Sequence, residues 1–180
     1  QNSIVTILRA THTGEDGFDI VVEADKAAEL RQALEQAGAH PVSEETREIL
    51  RVEAGIARFG SDMDETNVVT ETNLEDAVSF TKGCYVGQEI IVRIKHRGHV
   101  AKKLTGLRFE TERQIESGAI LKADGKEIGR VTSTAVSPKV GSIGLGYVRY
   151  EYLDAGTKVF VDDEISATVT ELPFIRGSWY

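Results

Sequence analysis

Cys84 is the chain's one cysteine, and it stands between Lys82 and two glycines, Gly83 and Gly87, ahead of a segment with helical spacing. A thiolate is the form that attacks an electrophile or binds a metal, and a neighbouring ammonium and helix N-terminal amides both stabilise it. The competing reading is a lone buried cysteine that packs as a small hydrophobe. Flexible backbone on both sides suits close approach to a partner better than it suits packing. Cys84 with His96 and His99 does not complete a zinc set, because no second cysteine is available and Gly98 parts the histidines, so no metal site is expected.

Other charged groups could meet ligands. Arg93, Lys95, Arg97, Lys102 and Lys103 place five cations in a short stretch of a chain whose 29 acidic and 21 basic residues give a net charge of −8. That stretch is either an anion site or a solvated face balanced by acids. The overall charge opposes strong general nucleic-acid binding, and no aromatics interleave the cations as a single-strand platform requires. Glu15, Asp16 and Asp19 flank a turn where a carboxylate could face a ligand, or serve the turn itself. Asp62, Asp64 and Glu65 lie in a polar stretch that reads as an exposed loop. The glycines of 141–146 have the wrong order for a dinucleotide fingerprint and read as strand crossings.

These residues need elements to hold them. Ser3 to Arg9 and Phe18 to Val22 read as two strands around a tight turn. Asp25 is placed to cap a helix running to a stop at Gly38, and a second helix runs from near Ser43 to Gly55. Asn73 is placed to cap a short helical turn reaching Phe80, and a further helix spans Gln88 to Arg97. From Lys103 onward, six short alternating runs separated by Gly and Asp argue for a small barrel, with Asp124-Gly125 as a two-residue hairpin turn. The expectation is an α+β chain in two parts: a small ferredoxin-like α+β domain over 1–101 and an antiparallel β-barrel over 102–180. No stretch is long and apolar enough to span a bilayer, and a single cysteine fits a reducing compartment, the cytoplasm. Starting on Gln and entering a strand at once, the sequence is expected to continue a preceding segment.

Several stretches are familiar. Thr13-Gly14-Glu15-Asp16-Gly17-Phe18-Asp19-Ile20, the run Arg47-Glu48-Ile49-Leu50-Arg51-Val52-Glu53-Ala54-Gly55, and Gly60-Ser61-Asp62-Met63-Asp64 resemble segments of the aminomethyltransferases, the T-proteins of glycine cleavage. Gly129 to Ser133, Ser137-Pro138 and Pro173-Phe174 look like that family's C-terminal barrel. Lys82-Gly83-Cys84-Tyr85-Val86-Gly87-Gln88-Glu89 is similar to the motif of its YgfZ-type folate-binding relatives. The resemblance implies tetrahydrofolate as cofactor, with Asp19 at the pterin, Arg47 lining the pocket, and Lys82, Tyr85, Gln88 and Glu89 beside it. Cys84 is then the reactive residue. A YgfZ-type member is implied to support iron–sulfur cluster assembly or repair, and through it tRNA modification, with iron–sulfur proteins or their assembly factors as partners. The alternative is a true aminomethyltransferase, whose partner is the lipoyl carrier protein. Under either reading the family's catalytic aspartate belongs to an N-terminal segment outside these 180 residues, and this stretch alone is expected to be inactive.

Overall fold

The computed structural model describes residues 4–74 and 77–180. The expected strand start at Ser3, part of the short turn after Asn73 and the side chain of Arg97 lie outside the described residues. Strands β1 (Thr6–Arg9) and β2 (Phe18–Val21) form an antiparallel hairpin with Leu8 opposite Asp19. Helix α1 (Ala27–Gln36) follows a 3-10 turn at Ala24–Lys26, and that turn displaces the expected cap: Lys26 precedes α1 and no side chain caps it, Asp25 included. Gly38, at φ +100°, stops the helix as expected. Helix α2 (Glu44–Glu53) starts on Ser43, whose Oγ accepts from the Thr46 amide at 3.1 Å, and Gly55 at φ +69° ends it. Helix α3 (Gln88–Arg97) begins after Gly87.

Six strands close into an antiparallel barrel: β3 (Lys102–Phe109), β4 (Ile120–Ala123), β5 (Lys126–Ser137), β6 (Gly141–Arg149), β7 (Lys158–Val161) and β8 (Ile165–Thr170). Their order around the barrel is β3-β6-β5-β4-β7-β8, with β8 returning to β3. Asp124 and Gly125 both have positive φ, 51° and 71°, which the mirror-image turn between β4 and β5 demands. The α+β class with a small barrel is therefore what the sequence pattern indicated.

Alternation sorts β6 onto two apolar layers. Val148 joins Leu107, Leu121, Val131 and Val159 inside the barrel. Ile143, Leu145 and Tyr147 point outward with Leu104 and are covered by Val52 of α2 and Ala57. A six-stranded barrel has little interior room. A Cβ on Gly144 would lie 2.8 Å from the Phe109 ring, and one on Gly146 would lie 2.8 Å from Leu107, which explains the glycines of β6.

The hairpin behaves differently. Ile7, Leu8, Phe18 and Val21 remain more than half exposed, and α1 buries no residue. Apolar side chains thus stand uncovered on both faces of the hairpin.

Candidate functional site

The β1–β2 turn is tied to the chain's last residues. Thr11 Oγ1 accepts from the Gly14 amide at 2.9 Å, and Gly14, at φ +79°, leaves no room for a Cβ, which would stand 2.8 Å from that of Ala54. The Trp179 amide donates to the Gly14 carbonyl at 3.1 Å. The Glu15 carboxylate accepts from the amide and hydroxyl of Ser178, and the Asp16 amide donates to Ser178 Oγ. Arg9 donates to Asp16 at 2.8 Å and lies 5.0 Å from the Trp179 ring centroid. Glu15 and Asp16 thus serve the turn and its anchorage. Asp19 is left on β2 with an exposed carboxylate: Oδ1 lies 2.7 Å from His12 Nε2, and Oδ2 makes no hydrogen bond among the described residues.

This anchorage is pH-sensitive. The hydrogen bond from the Ser178 hydroxyl, then that from its amide, hold Glu15 below its ordinary 4.5, and the hydrogen bond from Arg9 chiefly holds Asp16 below 3.8. A carboxylate whose pKa is depressed by folding stabilises the folded arrangement above its unfolded value and loses that contribution as pH falls through the folded one. Acidification from about pH 4.5 downward, through and below the ordinary carboxylate range, should therefore release the terminal segment and shift the emission of Trp179, the chain's one tryptophan, to the red. Emission unchanged across that range would count against the anchorage.

Helix α2 carries the family-like arginines, and the two have opposite environments. Arg47 is exposed, with Nε 3.0 Å from Glu44 and a second contact from Nη2 to the same carboxylate. Arg51, one turn on, is buried: Nη1 donates to the Ile56 carbonyl at 2.6 Å and to Asp62 Oδ2 at 2.7 Å, while Nη2 reaches Ser133 Oγ on β5 at 2.7 Å and also Glu48. Burial works to lower the Arg51 pKa, but the hydrogen bonds and charges of Glu48 and Asp62 outweigh it and hold it above the ordinary value. Asp62 also accepts from the Arg58 amide and, at 2.6 Å, from Thr132 Oγ1. Its side chain has no exposed surface, so Asp62 departs from the exposed-loop reading that Asp64 and Glu65 beside it follow. Glu53 adds a contact with Ser137, and its carbonyl accepts from the amides of Phe174 and Ile175. Arg51, Glu53 and Asp62 therefore lock α2 to the barrel. Nothing in their spacing alone marked them as buried.

The motif before α3 is exposed in a different place. Cys84 is a free, solvent-exposed thiol, so the alternative of a buried small hydrophobe fails. Lys82 Nζ lies 4.9 Å from the Tyr85 ring centroid, and the Tyr85 hydroxyl is buried without a partner. Gly87, at φ +87°, turns the chain into α3, which places Gln88 and Glu89 in its first turn. A cavity of about 290 Å³ beside α3 is lined by Thr70, Phe80, Lys95, His99 and Tyr150, and Cys84 is not among its lining residues. No hydrogen bond or ion pair among the described residues joins this motif to Asp19 or Arg47, or Asp19 to Arg47. Among the described residues no three His, Cys, Asp or Glu side chains gather as a metal site.

Residues 1–82 match the family model described as the GCVT N-terminal domain, and residues 102–175 match the glycine cleavage T-protein C-terminal barrel domain. The chain belongs to the glycine-cleavage T-protein superfamily. The T-protein relationship runs along nearly its whole length. An aminomethyltransferase of Halothermothrix orenii is 34% identical over 179 residues, covering 95% of this chain and 50% of that protein. The aminomethyltransferase of Rubrobacter xylanophilus is 35% identical over 173 residues, covering 94% and 46%. The crystal structure of the glycine cleavage system aminomethyltransferase T from Bartonella henselae superposes with a TM-score of 0.85 at 30% identity, covering 96% of this chain and 50% of that one. The chain spans about half the length of the curated relatives it matches.

These relatives overturn the expectation of a YgfZ-type factor serving iron–sulfur clusters, which rested on the eight residues from Lys82 to Glu89. An octapeptide leading into α3 is outweighed by agreement with aminomethyltransferases over nearly the whole chain. The T-protein superfamily stands, and its YgfZ-type branch does not follow from the motif.

Proposed function

We propose that this chain is the folate-facing and barrel half of a tetrahydrofolate-dependent aminomethyltransferase of the glycine-cleavage type, active together with the N-terminal half of that fold. The observation that carries this reading is the likeness to aminomethyltransferases over at least 94% of the chain, fold included. The residues present fit the ligand. Asp19 has a carboxylate oxygen available to accept paired N–H donors of a pterin, and the clamped turn before it keeps the hairpin in place. Arg47 keeps guanidinium N–H groups beyond those given to Glu44, able to meet an anionic or carbonyl oxygen. Tetrahydrofolate, when bound, supplies the acceptor of the one-carbon unit. This chain's part is to orient it, and the family's aspartate supplies chemistry from outside these residues.

The apolar hairpin faces and α1 are the surface on which we place the N-terminal half, since they are complete as elements yet uncovered. Lys82, Tyr85, Gln88 and Glu89 join the site in this reading only through the added layer, and the lipoyl carrier protein is the partner that delivers the substrate. A lone exposed thiol suits the reducing cytoplasm.

The test is tetrahydrofolate titration of the full protein by calorimetry. Asp19→Ala should weaken binding about tenfold or more, the value of a charge-assisted hydrogen bond, and Asp19→Glu should retain it. Unchanged affinity in Asp19→Ala, with no aminomethyl transfer from a loaded lipoyl carrier by the wild type, rejects the proposal.

A further inference from the structure

The five-cation stretch of the sequence is split by the fold, and Lys102 acquires new neighbours. On the outer face of the barrel Lys102 of β3 stands directly opposite Arg149 of β6, and Arg130 of β5 stands directly opposite Tyr147, two residues before Arg149. The three cations line one cavity of about 410 Å³ with Thr66, Gly129 and Tyr147. The side chains of Lys102, Arg130 and Arg149 form no ion pair or hydrogen bond among the described residues, although acids outnumber bases in this chain by 29 to 21. Glu127 is the one carboxylate among the lining residues. Asp64, whose Oδ1 accepts from the amide and hydroxyl of Thr66, also feels the charges of Arg130 and Lys102 but makes no hydrogen bond or ion pair with either.

Tyr147 gives a second, independent sign. It is 1% exposed, its ring lies 5.0 Å from Lys102 Nζ, and its hydroxyl is buried without a partner. A buried hydroxyl lacking a hydrogen bond costs about 1–3 kcal/mol, which makes this wall of the cavity incompletely satisfied. Three like charges held on adjacent strands also repel one another, and an anion relieves that repulsion.

We infer that the outer face of β3, β6 and β5 is a binding site for a small polyanion, held by Lys102, Arg130 and Arg149 over Tyr147. Strands about 4.8 Å apart, with a two-residue offset of about 6.6 Å along β6, separate Arg130 from the other two cations. A ligand with two or more carboxylate or phosphoryl groups matches three cations spread over this span better than a single anionic group does. Asp19 and Arg47 are not among the residues lining this cavity, and the inference does not depend on the folate reading.

Calorimetric titration of the full protein with citrate and, separately, with inorganic pyrophosphate tests this. One equivalent should bind, with affinity falling as salt rises. Arg130→Gln combined with Arg149→Gln should weaken binding at least about tenfold, while Lys158→Gln on β7 removes a charge elsewhere and leaves binding unchanged. Binding of only one probe identifies the anionic group and supports the site. Binding of neither, or equal weakening by Lys158→Gln, overturns it. Should the double variant fail to fold, protection of Arg149 from phenylglyoxal by the bound probe supports the site, and modification at an unchanged rate overturns it.

Discussion

Asp62→Ala should lower the unfolding free energy by about 3–5 kcal/mol, the usual consequence of leaving one member of a buried ion pair uncompensated. Arg51 would keep Glu48 but lose the carboxylate 2.7 Å from its Nη1, and Thr132 Oγ1 and the Arg58 amide would lose their acceptor together. Urea unfolding followed by circular dichroism measures the loss. Arg51→Lys should also destabilise, because a single ammonium cannot bridge the Ile56 carbonyl, Asp62 and Ser133 as the planar fork does. Arg51→Met combined with Asp62→Leu should recover part of the loss, since removing both charges abolishes the unpaired ion. A double variant no more stable than Asp62→Ala would show that the network contributes more than charge balance.

Gly129→Ala is the second large effect. An added Cβ would meet the Tyr147 carbonyl oxygen at 1.9 Å and its carbonyl carbon at 2.9 Å, and both belong to backbone that no rotamer change can move. Strand β5 must separate from β6 at the Gly129–Val148 pair. Such overpacking costs about 3 kcal/mol or more and opens the barrel wall beside Val131 and Val148, which are fully buried. Gly83→Ala is the matched control, because its Cβ meets nothing within 4 Å and should change stability by less than about 0.5 kcal/mol. Melting temperatures of the two variants decide the matter: equal melting would refute the close approach of the two strands.

Both effects concern how α2 and the barrel hold each other, and that is where local pattern and tertiary packing part company. Helices α2 and α3, the six barrel strands and the Asp124-Gly125 turn follow from periodicity, a serine cap and glycine punctuation, all local properties of the chain. The cap at Asp25 fails for a local reason too: the 3-10 turn over Ala24–Lys26 takes the position where the helix would otherwise start.

The fate of individual charges was not local. Arg47 and Arg51 sit one turn apart on the same helix, yet only Arg51 meets the barrel, so one is solvated and the other buried. Asp62 is polar in a polar stretch, and its burial depends on Arg51 and on Thr132, seventy residues away. Lys102 reads as part of a cationic run, but strand pairing places it with Arg130 and Arg149 instead. By itself the sequence determined the elements, their order and the family, because turn chemistry and hydrophobic period act over a few residues. Tertiary structure alone decided which charges are buried, paired or gathered, because burial is set by surfaces that meet only when β5, β6 and α2 pack together.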